Sequence, residues 1–196
     1  MPRVTVVLLL IALAAIALIA AAPSVSGPNA AQYTVDGKLL RPNYRQWVFL
    51  SSGLGMNYNP DTGGEAHPAF TNVYAAPEAY NSFLETGTWP DKTVLVLEIY
   101  SAATNGSINR SGHFQQELMG LEAHVKDTSR KGDAWKFYPL GAAGASAAAL
   151  PDGNMCTQCH VKHGAVENTF VQFYPTLLEA AKRKGTVKAG ALAPAR

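Results

Sequence analysis

Both cysteines of this 196-residue chain fall in one pentapeptide, Cys156-Thr157-Gln158-Cys159-His160. On a helical turn, positions i, i+3 and i+4 share a face. Two thiols there would bond the edge of a haem while the adjacent imidazole reaches its iron, and C-x-x-C-H is the attachment signature of haem c. Other uses of these residues stay open. A structural disulfide or a thioredoxin-like pair needs no histidine, and the latter goes with a βαβ context that the neighbouring sequence lacks. Zinc would recruit Cys156, Cys159, His160 and His163, although structural zinc sites usually take their ligands from two separated pairs. One covalently attached haem c, with His160 as the iron ligand, uses every residue of the motif.

The far side of the iron would decide the chemistry. Small electron-transfer cytochromes often place a methionine there, and the candidates are Met56, Met119 and Met155. Met155 abuts the first cysteine and cannot loop to the opposite face. Met56 sits in a Gly/Asn-rich stretch and Met119 on the apolar face of a strand, where ordinary packing is the simpler use. No methionine follows the motif, so an open sixth site for a small ligand is expected. Of the remaining histidines, His67, His113 and His163 fall in turn-like segments, and His124 shares a strand face with Glu122.

The elements that must carry these residues read as follows. Trp47 to Leu50 is a strand, followed by a long loop over Ser51 to His67; Phe70 to Tyr74 is a second strand. Pro77 opens a short helix closed by Gly87. Thr93 to Tyr100 is the clearest strand, with Thr93, Leu95, Leu97 and Ile99 on one face. After the Asn105-Gly106 turn signal, Phe114 to Val125 pairs back antiparallel, with Met119, Leu121, Ala123 and Val125 on an apolar face. Glu122 lies opposite that face, among Leu118, Gly120 and His124. Trp135 to Leu140 is a further strand, and Gly141 to Leu150 an Ala/Gly-rich surface connection. Phe170 to Ala181 follows an amphipathic helical period, with Pro175 kinking it or opening its second part. The fold class is α+β, a mainly antiparallel β-sheet with a few helices and the haem motif near the C-terminus.

Composition narrows the class further. Charged residues are 15% of the chain and apolar residues 47%, against ~25% charged in ordinary soluble domains. This describes neither a disordered chain nor a general polyanion binder. The net charge of +2 comes from Lys182, Arg183, Lys184, Lys188 and Arg196. Cations before Gly185 suit a helix C-terminus, so nucleic acid is not indicated. Arg3 and the apolar run Val4 to Ala22 resemble a secretory signal, or an uncleaved anchor that would hold the protein at a membrane. Covalent haem attachment in bacteria is completed outside the cytoplasm, so a periplasmic or otherwise exported protein is expected. The organisation is a leader over 1–22, a spacer over 23–32, one haem domain over 33–185 and a flexible tail over 186–196.

A wider set of residues is familiar. Leu40 to Val48, Asn72-Val73-Tyr74, Pro77 to Tyr80, Gly87, Thr93-Val94, Gly120 to Asp127, the Cys156 to His160 motif and Phe173-Tyr174-Pro175 together resemble the cytochrome P-460 family. The resemblance implies a mostly antiparallel β fold, a homodimer, a redox partner protein and one c-type haem held by Cys156, Cys159 and His160. The family's hydroxylamine-oxidising members also have a second-sphere glutamate, for which Glu122 is the candidate proton relay; as a residue alone, Glu122 reads equally as a solvated strand carboxylate. Those members carry a lysine cross-linked to the haem, and the matching position here is Leu97. In lacking it the chain resembles cytochrome c′-beta, a branch that binds nitric oxide in an apolar pocket, for which Leu95, Leu97 and Ile99 would be suitable walls. A haem protein that binds or converts small nitrogen oxides is the expected function.

Overall fold

The computed structural model describes residues 23–56 and 68–192. The leader, His67 and most of the Gly/Asn-rich loop lie outside the described residues. Among the described residues, seven strands and three α-helices follow one another in the order β1 (Leu39–Leu40), β2 (Val48–Leu54), β3 (Ala69–Ala75), α1 (Pro77–Thr86), β4 (Val94–Ala103), β5 (Phe114–Lys126), β6 (Trp135–Pro139), β7 (Ser146–Ala147), α2 (Met155–His163) and α3 (Pro175–Lys184). Strands β2 to β6 form one antiparallel meander in sequence order, and β1 pairs with β7 in a small second sheet. The fold is α+β, as the alternation of periods predicts.

Register decides what the sheet presents. Leu97 on β4 lies directly opposite Glu122 on β5 and Val73 on β3, and Leu95 lies opposite His124. Period two therefore places Leu95, Leu97, Glu122 and His124 on one face. On the other face Val94, Val96, Leu121, Ala123 and Val125 are buried in the core. Glu98 is buried there too, satisfied by the Tyr44 hydroxyl at 2.6 Å, the Arg45 guanidinium at 2.6 Å and the Asn72 amide at 3.2 Å.

The helices close on familiar signals. Helix α1 starts at Pro77 and ends with Gly87 left-handed at φ 77°; α3 starts at Pro175 and ends with Gly185 at φ 69°. Proline tolerates the first turn because its missing N–H has no helical partner there, and glycine takes the left-handed cap without a Cβ clash. The two helices pack together, burying Ala79 and Phe83 of α1 and Leu177, Ala180 and Ala181 of α3. A fully buried Phe or Leu contributes roughly 1.5–3 kcal/mol.

Four readings of the sequence are corrected. Strand β2 runs on to Leu54 where a loop was expected after Leu50, because its backbone pairs with Phe70 to Val73. Met119 is not on the apolar face: a register shift between Ile99 and Tyr100 throws it outward, 52% exposed. The helical period from Phe170 is broken at Pro175, leaving only a 3₁₀ turn over Val171–Phe173 before α3. The Ala/Gly-rich connection contains β7, paired with β1. Both ends of the domain are also tied down. Val25 is buried and its N–H bonds to Asp91, while Thr186 bonds to Gly87 and Lys188 to Ala165.

Candidate functional site

Helix α2 presents the motif. Its N-cap is Asn154, whose side chain accepts the Thr157 N–H at 3.1 Å and whose amide bonds to the Pro151 carbonyl. Such a cap satisfies a backbone donor that the helix cannot. No residue of α2 is buried. A short helix normally owes its stability to an apolar face packed on something, and here Cys156, Cys159 and His160 instead line a cavity of about 420 Å³. Across it stand Leu97, Ile99 and Val73 of the sheet, with Phe170, Phe173 and Tyr174 at the side. Cofactor pockets span ~300–1,000 Å³ and are mainly apolar with few polar groups.

The two thiols are not joined as a disulfide. Burial, with the nearby Glu122 charge adding to it, pushes the Cys156 thiol up, so it is held neutral and not as a reactive thiolate. Among the described residues no group of three or more His, Cys, Asp or Glu side chains is arranged to hold a metal ion.

His160 is set by its neighbours. Its Nδ1 lies 2.8 Å from the carbonyl oxygen of Asn168. A carbonyl only accepts, so Nδ1 carries the proton and Nε2 is left with a bare lone pair. Desolvation first, and the adjacent His124 second, push this imidazole down to about 4. It is therefore neutral at physiological pH, as a metal-ligating imidazole must be. The ring centroid lies 4.2 Å from that of Phe170, with the planes tilted by 36°, 4.9 Å from that of Phe137 and 5.0 Å from that of His124.

Glu122 and His124 also face the cavity. Their closest approach, Nε2 to Oε2, is 3.8 Å, beyond hydrogen-bond length, so the contact is electrostatic. His124, with His160 adding to it, holds the Glu122 carboxyl below the usual range, and it stands ionised as a proton acceptor. The Nε2 of His124 is buried with no hydrogen-bond partner among the described residues.

Leu97 is half-buried in the cavity wall, and no lysine is among the described residues that line it. The nearest lysine along the strand, Lys92, is at the turn with φ 59°. Its ammonium bonds to Asp127 at 2.6 Å and it borders a different cavity. Met56 and Met155 line the haem-motif cavity; Met119 does not. His163 ends α2, and His113 is exposed before β5.

The model of the cytochrome P-460 family matches residues 41–171. The chain belongs to the cytochrome P-460 family. It is accordingly a haem protein of the P-460 type, and the cavity beside α2 fits such a group: two unpaired thiols, a neutral imidazole with a free Nε2 and an apolar wall converge on one space. Among curated proteins, none matches the chain. Sequence reasoning passed over Asn168, Phe137, Phe170 and Gly164. The signal for the first was available, since Asn tolerates the left-handed turn found at Glu167 and Asn168. The aromatic neighbours had none, because Phe137 comes from β6 and Phe170 from the residue before the 3₁₀ turn, neither in helical register with His160.

Proposed function

We propose that this is an exported c-type haem protein with an open sixth iron position that binds or converts small nitrogen oxides such as nitric oxide and hydroxylamine. The observation that carries the reading is the cavity itself, with Leu97 in its wall where the cross-linking members of the family have lysine, and no other lysine among its described lining residues. Cys156 and Cys159 would attach the haem through thioether bonds, and His160 would ligate iron through Nε2. When bound, the haem supplies a redox-active iron with a coordination position for a diatomic or small nitrogenous ligand. Leu97, Ile99 and Val73 exclude water from the sheet side, which favours uncharged ligands. The ionised Glu122 stands ready to take a proton from whatever enters. Export, a homodimer and a redox partner protein accompany this reading through the family resemblance and the leader.

The test is optical and by mass. The intact protein should carry one haem bound through two thioethers and nothing more, show a high-spin spectrum when reduced, and take up nitric oxide. A low-spin spectrum without ligand uptake would remove the proposal.

Glu122 favours a second reading, hydroxylamine oxidation with Glu122 as proton relay, because it lies directly opposite position 97 in the register. That reading needs an extra protein–haem bond or a substitute for it. A red-shifted haem band, a third covalent link and hydroxylamine turnover abolished in Glu122→Gln would establish it over the first.

A further inference from the structure

The segment after α2 contains an unusual turn. Glu167 and Asn168 have φ of 46° and 62°, and the Thr169 N–H closes on the Val166 carbonyl at 2.8 Å. Two successive left-handed residues make a type I′ turn, normally built from Asn, Asp and Gly. Asn is at home there and Glu is not, so the surrounding structure must hold Glu167 in place.

It does so with a clamp. The Lys126 ammonium, 8% exposed, contacts Glu167 Oε1 at 2.7 Å. The Trp89 N–H donates to Glu167 Oε2 at 2.7 Å, and Lys126 also donates to the Trp89 carbonyl at 2.6 Å. From the other end, the Trp89 indole N–H donates to the Thr169 hydroxyl at 2.9 Å, and that hydroxyl donates to the Val166 carbonyl at 2.7 Å. Trp89 and Thr169 are both buried. The turn is thereby anchored to the end of β5 and the segment before β4. What it carries is the Asn168 carbonyl, the acceptor of the His160 Nδ1–H.

We infer that Lys126 and Glu167 are positioning residues that hold the Asn168 carbonyl on His160 and so tune the bond between His160 and the haem iron. This rests on His160 as the iron ligand. A hydrogen bond from the far ring nitrogen of a ligating histidine fixes its tautomer and orientation and raises its basicity, and loss of such partners typically changes metal-site properties by ~10–100-fold. Loosening the clamp lengthens that hydrogen bond, weakens the iron–nitrogen bond and favours ferrous iron.

The holoprotein is compared with Glu167→Gln, Lys126→Met and the double variant by resonance Raman of the ferrous iron–histidine stretch and by redox titration. Each variant should move the stretch to lower frequency. Each should change the ferrous/ferric ratio at fixed potential by about tenfold, a rise of ~59 mV for one electron. The double variant should do no more than the singles, since both break one clamp. Glu167→Gln keeps an acceptor for the Trp89 N–H and preserves the fold even if Lys126→Met does not. If the parent shows the stretch while Glu167→Gln leaves band and potential unchanged, the clamp is overturned whatever its effect on thermal stability. If the parent shows no iron–histidine stretch, its ferrous haem is not five-coordinate with histidine and the open-site reading falls; the clamp is then judged by the potential alone, and an unchanged potential in Glu167→Gln overturns it.

Discussion

The substitution Gly164→Ala tests the geometry around His160 without touching a polar side chain. Gly164 has φ −65° and ψ 132°, angles any residue adopts, so its backbone does not call for glycine. Space does. A Cβ there would lie 2.5 Å from the Asn168 carbonyl carbon, 2.7 Å from Asn168 Cα and 2.7 Å from the His160 carbonyl oxygen. All three are backbone atoms, and none can rotate away as a side-chain tip would. Either the turn bearing Asn168 or the end of α2 must retreat, and those are the two ends of the 2.8 Å His160–Asn168 hydrogen bond. Overpacking of this kind costs about 1–3 kcal/mol and a lost hydrogen bond about 1 kcal/mol. The sum is about 2–4 kcal/mol, or a Tm lower by roughly 5–15 °C for a domain of this size. Gly120→Ala is the control, since its Cβ would meet only the Ile99 side chain at 3.4 Å, and it should change Tm little. Differential scanning calorimetry of the holoprotein, with the ferrous iron–histidine band recorded on the same samples, reads both effects. If Gly164→Ala matches Gly120→Ala in Tm and leaves the band in place, the close approach and its role in setting His160 are refuted.

Three further outcomes are expected. Glu98→Ala strands the Tyr44 hydroxyl in the core, leaves the Asn72 amide with Gln115 as its remaining acceptor and frees Arg45, which is more than half exposed; a loss of about 2–3 kcal/mol in denaturant unfolding follows, with the haem spectrum unchanged because Glu98 faces away from the cavity. Asp127 is held at about 2, by Lys92 first and Ser129 next, against an ordinary value of 3.8. A depressed carboxyl stabilises the fold above pH ~4 and stops doing so as pH falls through ~2. Being partly exposed and screened, it should account for less than ~1 kcal/mol, and Asp127→Asn should flatten the acid limb of a stability–pH curve by that amount. Met56 lines the cavity, so Met56→Leu should leave the reduced spectrum as it is if the sixth position is open; a conversion from low spin to high spin would instead identify an electron-transfer cytochrome.

Much of the site is legible locally. The C-x-x-C-H spacing brings three groups to one helix face by helical geometry alone, and Leu97 and Glu122 fall on predictable strand faces because the strand period is two. What failed depended on partners distant in the chain. Met119 fits its apolar stripe by parity, but a bulge between β4 and β5 turns it outward, and a bulge is a property of the pair. Leu50 looks like a strand end until β3 supplies hydrogen-bond partners out to Leu54. Glu122 reads equally as a solvated carboxylate or a pocket group while its strand is considered alone. Only the sheet's placement opposite α2 puts it beside the cavity with His124.

The sequence by itself determined the C-x-x-C-H motif, the α+β class and the absence of lysine at position 97, because these follow from residue type and from the periods of helix and strand. Tertiary structure decided which tautomer His160 adopts and which groups surround it. The Asn168 carbonyl reaches Nδ1 only because a strained turn is pinned by Lys126, Glu167 and Trp89, residues drawn from three separate segments. No local period encodes such a meeting; it exists only once the chain has closed on itself.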